Sequence, residues 1–200
     1  MNFDLSIYDD FLTEKECSDF INLYSPVMES LPFVYGKAHK LKYPEIPVRT
    51  VSAKFINQDG KLSRTQHIVD DSDLLVKKIK NKFSELTQTP LENQEPFMFV
   101  KYEERQEFYE HTDNFPNFDI HKCRRTHSLI IYFNDCDGGE THFTVIDKKI
   151  KPKTGRAVLW NNIKDGNILK GTDHASLPVK KGYKYAGILW VREVKYGGPV

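Results

Sequence analysis

After Pro96 the chain breaks into short β-type runs separated by turn signals, and this pattern limits the possible folds more than any other feature. The runs, at 97–102, 108–112, 128–133, 141–145, 156–160 and 184–191, are rich in Phe, Tyr, Ile, Val and Trp. Between them stand "NDCDGG", "IDKKIKPKTG" and "VKKGY", which concentrate Gly, Asp and Lys with a Pro. Many short strands at this spacing predict an antiparallel sandwich or barrel. None of the apolar runs approaches the roughly 20 residues that a membrane-spanning helix needs.

The region before the strands reads as support. "TEKECSDFINLY" predicts a helix, with Thr13 and Glu16 as a capping box and Cys17, Phe20, Ile21 and Tyr24 as one apolar stripe. A second helix is expected from near Asp71 through Leu75, Ile79 and Phe83. From Ser25 to Gly60 the signals are mixed, with prolines at 26, 32, 44 and 47 and strand-like pieces around 49–55. There is no internal repeat and no clear linker. The expectation is one domain over 1–200, mainly β with flanking helices (α+β): a supporting region at 1–95 and a β core at 96–194.

Composition excludes some partners. A formal net charge of +1 provides no field for nucleic acid or an anionic membrane. The basic clusters "IHKCRR" and "VIDKKIKPK" read as solvated loops or strand edges. Three cysteines, Cys17, Cys123 and Cys136, fit no zinc spacing and suggest free thiols in a reducing compartment. The acidic start "MNFDLSIYDDFL" lacks the features of a signal peptide, so a cytoplasmic location is expected.

Chemistry enters with "FYEHTDNF". Residues i and i+2 of a strand share a face, so His111 and Asp113 project together. They are either a hydrogen-bonded pair near the surface or two ligands of one metal. Two histidines and one carboxylate leave three octahedral positions open, the arrangement of non-haem Fe(II) oxygenases. The third ligand has several candidates: His121 in a charged loop, His127 ahead of an apolar strand, His142 in "GGETHF", and His174 before a late strand. Lys184 opens that late strand. It either points into the barrel, where it needs an anion, or faces solvent in the basic "KKGYKY".

The ordered series "PLENQEPFMFVKYEERQEFYEHTD", "RTHSLIIYFNDCDGGETHF", "GRAVLW" and "HASLPVKKGYKYAGILWVRE" resembles the prolyl 4-hydroxylase family. "DDFLTEKECSDFI" and "VRTVS" resemble that family's opening segments. The resemblance implies a double-stranded β-helix (jelly-roll) barrel braced by N-terminal helices, and a 2-oxoglutarate- and Fe(II)-dependent dioxygenase. It implies His111, Asp113 and His174 as iron ligands. It gives Lys184, Tyr102 and Thr141 to 2-oxoglutarate, and places Arg125 and Trp190 on the peptide side. Fe(II), 2-oxoglutarate and O2 are the implied cofactors and co-substrates, with a need for ascorbate left open. The implied partner is a proline-containing peptide or protein, hydroxylated with release of succinate and CO2.

Three positions depart from the family pattern. Phe108 stands where a substrate-holding tyrosine is common, with Tyr109 beside it. Ser176 replaces a frequent glycine, and Tyr185 replaces a tryptophan. These changes leave the iron chemistry intact and bear on the substrate. The alternatives are the same chemistry on another residue, a free amino acid or a small metabolite, and a non-catalytic β-barrel that binds a metal or a partner. Retention of the three ligands and Lys184 argues against the last.

Overall fold

Strands with two apolar faces must be covered on both sides, and the architecture follows from that need. The computed structural model describes residues 3–31, 33–35, 53–56, 62–114 and 124–197. The larger sheet has the order β1 (Leu5–Tyr8), β11 (Ala157–Asn161), β7 (Arg125–Tyr132), β16 (Lys184–Arg192), β5 (Phe97–Tyr102), β4 (Leu62–Val69), β3 (Ala53–Ile56) and β2 (Phe33–Tyr35). Its pairs are antiparallel except β2 with β3. The smaller sheet has the order β10 (Lys148–Ile150), β9 (Thr141–Phe143), β14 (His174–Ser176) and β6 (Phe108–His111). Two short ribbons complete the set: β12 (Ile163–Lys164) with β13 (Asn167–Ile168), and β8 (Asp137–Gly138) with β15 (Val179–Lys181). The architecture is the double-stranded β-helix that the resemblance implies.

Alternation along β5 divides the core in two. Phe97 and Phe99 point to one side, where they join Phe20, Ile79 and Phe83 of the helices. Met98, Val100 and Tyr102 point to the other, into the space between the sheets with Tyr132, Phe143 and Trp160. Tyr102 therefore lies on the face opposite Phe97 and Phe99 and borders the interior of the barrel. Every residue of β5 is buried, as a strand sandwiched between two layers should be.

Helix α1 (Glu14–Glu29) starts with the expected capping box. The Glu16 N–H donates to Thr13 Oγ1 at 3.2 Å, and the Thr13 N–H donates to Glu16 Oε2 at 2.9 Å. The helix continues through Pro26, where the sequence signals turn mixed. Proline forfeits one backbone hydrogen bond, but the extra turn buries Met28 completely. Helix α2 (Leu74–Thr87) begins three residues later than Asp71, because the Asp73 carboxylate caps the N–H groups of Leu75 and Val76. Of the strand-like pieces expected around 49–55, 49–52 lie outside the described residues, as does Cys123. Cys17 and Cys136 are free thiols. Among the described residues no helix is long and apolar enough to cross a membrane.

Phe83 is fully buried in the helix-side core. Truncation to alanine should cost about 3–5 kcal/mol, measured by urea unfolding. A loss below 1 kcal/mol would contradict the packing of α2 onto the sheet.

Candidate metal centre

The register of one strand pair builds the site. β14 pairs antiparallel with β6 so that His174 lies directly opposite His111, and their ring centroids are 4.3 Å apart. Asp113 lies just beyond the end of β6 rather than on the strand, so the same-face expectation holds only up to His111. The loop is pinned to β7 by Asn114, whose side chain exchanges two 2.8 Å hydrogen bonds with the Arg125 backbone. One donor atom from each of His111, Asp113 and His174 lies within 4.8 Å of the others.

The histidines are oriented as ligands. His111 Nδ1 donates to the Tyr109 carbonyl at 2.8 Å, and His174 Nδ1 donates to the Thr172 carbonyl at 2.9 Å. A carbonyl only accepts, so both neutral rings carry the proton on Nδ1 and present the Nε2 lone pair. Two neutral imidazoles and one carboxylate form a donor set that fits Fe(II) and leaves positions for other ligands. His127 and His142 stand elsewhere: His127 contacts Thr126 on β7, and His142 contacts Asp147 at a turn. His121 lies outside the described residues.

The donors face a pocket between the sheets, also bordered by Tyr102, Thr141, Lys184, Phe108, Trp190 and Arg64. Lys184 is 2% exposed and pairs across the sheet with Tyr102. It therefore points into the barrel. Its Nζ donates to the Gly139 carbonyl at 2.9 Å and to Ser176 Oγ, and lies 4.4 Å from the centre of the Tyr102 ring. Burial pushes the Lys184 ammonium down to about 7. Burial also raises the Tyr102 phenol above its usual value. The paired glycines of "GGET" have positive φ, +76° and +66°. A Cβ on Gly138 would meet the Pro178 carbonyl oxygen at 2.4 Å, so the turn that delivers the Gly139 carbonyl to Lys184 excludes a side chain there. Thr141 Oγ1 accepts from the Tyr132 hydroxyl at 2.6 Å, which leaves the threonine's own proton to donate elsewhere.

A family model described as the 2OG-Fe(II) oxygenase superfamily matches residues 97–192, the stretch that carries the triad and the lysine. That stretch, just under half of the chain, is similar to the superfamily. The chain is a dioxygenase that uses Fe(II), 2-oxoglutarate and O2. Similar curated proteins include probable prolyl 4-hydroxylase 8 of Arabidopsis thaliana, 28% identical with 95% of this chain and 69% of the relative aligned. Prolyl 4-hydroxylase 5 of the same plant is 28% identical over 92% of this chain and 66% of its own. Among solved structures, the viral collagen prolyl hydroxylase of Paramecium Bursaria Chlorella virus-1, in its 2OG complex, superposes with a TM-score of 0.71. It is 24% identical and covers 96% of both chains, which establishes a common fold.

Within this dioxygenase some sequence expectations need correction. Arg125, which the resemblance places on the peptide side, is 1% exposed and does not line the pocket. A bidentate pair with Glu95, both bonds 2.6 Å, holds it behind Trp190, with the guanidinium 3.7 Å from that ring's centre. The partner lies 30 residues away in sequence, so no local pattern signals the pair. Tyr109 is 63% exposed and away from the pocket, because alternation turns it opposite to Phe108. Tyr185 stacks on Phe99 on the helix side, so its replacement of tryptophan does not reshape the pocket. Ser176 does more than replace a glycine, since its hydroxyl accepts from Lys184. Arg64 is a pocket residue that the sequence did not mark; its guanidinium lies 4.2 Å from the Phe108 ring centre. Its strand, β4, carries too little alternation to be noticed.

The Lys184 shift has a definite sign. Its pKa in the folded, ligand-free chain is about 7, below the ordinary 10.5. Between these values the unfolded chain binds more protons, so stability should rise with pH across that window. The burial penalty is present in full below pH 7. Lys184→Met should flatten the rise, as read by urea unfolding at about pH 7 and about pH 9. Equal pH slopes in the two proteins would place the lysine in contact with water.

Proposed function

We propose that this dioxygenase hydroxylates prolyl residues in a peptide or protein, with His111, Asp113 and His174 holding the iron. The observation that carries the reading is that a three-donor cluster and a buried lysine border the same pocket. With 2-oxoglutarate and oxygen, bound Fe(II) supplies the oxidising chemistry that yields succinate, CO2 and a hydroxylated product.

The chain's own residues bind and orient. Lys184 receives the far carboxylate of 2-oxoglutarate, and the bound anion restores the charge on a lysine that burial disfavours. Such a charge-assisted contact is worth roughly 1.5–3 kcal/mol. The Thr141 hydroxyl, its oxygen already engaged by Tyr132, donates to the same molecule, and the Tyr102 phenol borders it. Phe108 and Trp190 form apolar walls for the substrate ring, and Arg125 holds Trp190 from behind. The supporting domain reading is a single unit, with 1–95 bracing a catalytic core at 96–194.

The names of the relatives support proline as the target. Prolyl 4-hydroxylases are prominent among the curated matches. A solved prolyl hydroxylase from Trichoplax adhaerens, TM-score 0.61, holds a peptide fragment of hypoxia inducible factor. One observation favours a second reading, another residue or a small metabolite: Phe108 lacks the hydroxyl expected at that position, and Arg64 lies over it.

The test supplies Fe(II), 2-oxoglutarate and oxygen, and follows succinate together with the mass of proline-rich peptides. Peptide-stimulated succinate and a product one oxygen heavier are expected. His174→Ala should abolish both. Lys184→Ala should raise the KM for 2-oxoglutarate about 10- to 100-fold, and an unchanged KM would remove the lysine from this role. Succinate stimulated by free amino acids or other small molecules, and never by peptides, would overturn the prolyl reading.

A further inference from the structure

A run of buried polar groups leads away from Asp113 that the proposed chemistry does not use. Ser128 Oγ donates to Asp113 Oδ2 at 2.6 Å. Asn162 Nδ2 donates to Ser128 Oγ at 2.8 Å. Trp160 Nε1 donates to Asn162 Oδ1 at 3.0 Å. All four side chains are at most 3% exposed. Ser128 is fully buried at the centre of β7, directly opposite Trp160 of β11 and Trp190 of β16.

The direction of this chain is fixed by its far end. An indole N–H can only donate. Asn162 must therefore turn its carbonyl oxygen to Trp160 and its amide nitrogen to Ser128. Ser128 accepts that bond, and its single proton is left to donate to the carboxylate. Because one member is donor-only and the last is acceptor-only, the sense of all three bonds is set. We infer that Trp160, Asn162 and Ser128 form a directional positioning relay that fixes the rotation of the Asp113 carboxylate before metal arrives. The inference rests on the reading of the triad as the metal centre. Asp113 lies beyond the end of β6, so its carboxylate is not aimed by strand pairing; the Arg125 guanidinium lies 3.8 Å from Oδ1, and the relay fixes Oδ2 through a directed hydrogen bond. Groups that orient a metal ligand in this way typically matter 10- to 100-fold in metal affinity.

The polarity separates a relay from mere packing. Asn162→Asp keeps the shape of the side chain and its acceptor toward Trp160, but presents an acceptor to Ser128. The serine proton then turns to residue 162, and Asp113 loses this donor although Ser128 remains. Calorimetric titration of the metal-free protein with Mn(II), an oxygen-stable probe, reads this without turnover. Ser128→Ala and Asn162→Asp should both bind Mn(II) roughly 10- to 100-fold more weakly than the parent, with a cooperative thermal transition retained. Trp160→Phe, which keeps a ring but frees the amide to turn over, should show a smaller loss and carries the test if the other variants do not fold. Folded variants that bind Mn(II) like the parent would overturn the relay and leave the metal centre standing. A parent protein that binds no Mn(II) would overturn both.

Discussion

The pairing of β6 with β14 is the constraint on which the rest depends. An antiparallel register sets His111 against His174, and a slip of one residue would turn the ring on the shifted strand to the opposite face. Each imidazole is then locked by a backbone carbonyl two residues earlier, so the strand that delivers the ring also selects its tautomer. The third donor cannot come from the same pairing. It arrives on a loop and needs tethers from β7, which Asn114 and Ser128 provide. The smaller sheet supplies the histidines, and the larger sheet disciplines the aspartate.

Charge is arranged on the same division of labour. Among the described residues, Arg125 and Lys184 are both enclosed near the pocket, and they are handled differently. Arg125 is matched by Glu95, which also accepts from Arg192 at 2.9 Å, so this charge is satisfied within the protein. Among the described residues, Lys184 hydrogen-bonds to neutral acceptors, the Gly139 carbonyl and the Ser176 hydroxyl. Burial lowers its pKa accordingly. A buried lysine solvated by dipoles rather than by a carboxylate is poised for an anion from outside. This contrast supports the proposed role of the lysine in binding the co-substrate.

What the sequence made legible was local or strongly patterned. The capping box of α1, the run 97–102 and the late strand from Lys184 follow from short-range chemistry, and the structure repeats them. The grouping of His111, Asp113 and His174 was legible because His-x-Asp, a distant histidine and a following lysine form an ordered series. The remaining members of the site depend on distance in three dimensions. β14 is only three residues long and has no β-type run. Ser128 opens the apolar "SLIIYF" and reads as a strand residue until Asp113 is placed beside it. The buried pairing of Arg125 is invisible until Glu95 closes on it, and α1 outlasts Pro26 because Met28 gains a buried site. Each miss is a residue whose partner lies on another element.

The central claim is that His111, Asp113 and His174 hold Fe(II) in a pocket that also takes 2-oxoglutarate. Anaerobic absorption spectroscopy tests it most directly, since a metal-chelated 2-oxo acid gives a weak visible charge-transfer band. The account predicts a band that appears only when Fe(II) and 2-oxoglutarate are both present, and that is lost in His174→Ala. A parent protein with no band at saturating Fe(II) and 2-oxoglutarate, or a band of equal strength in His174→Ala, would contradict it.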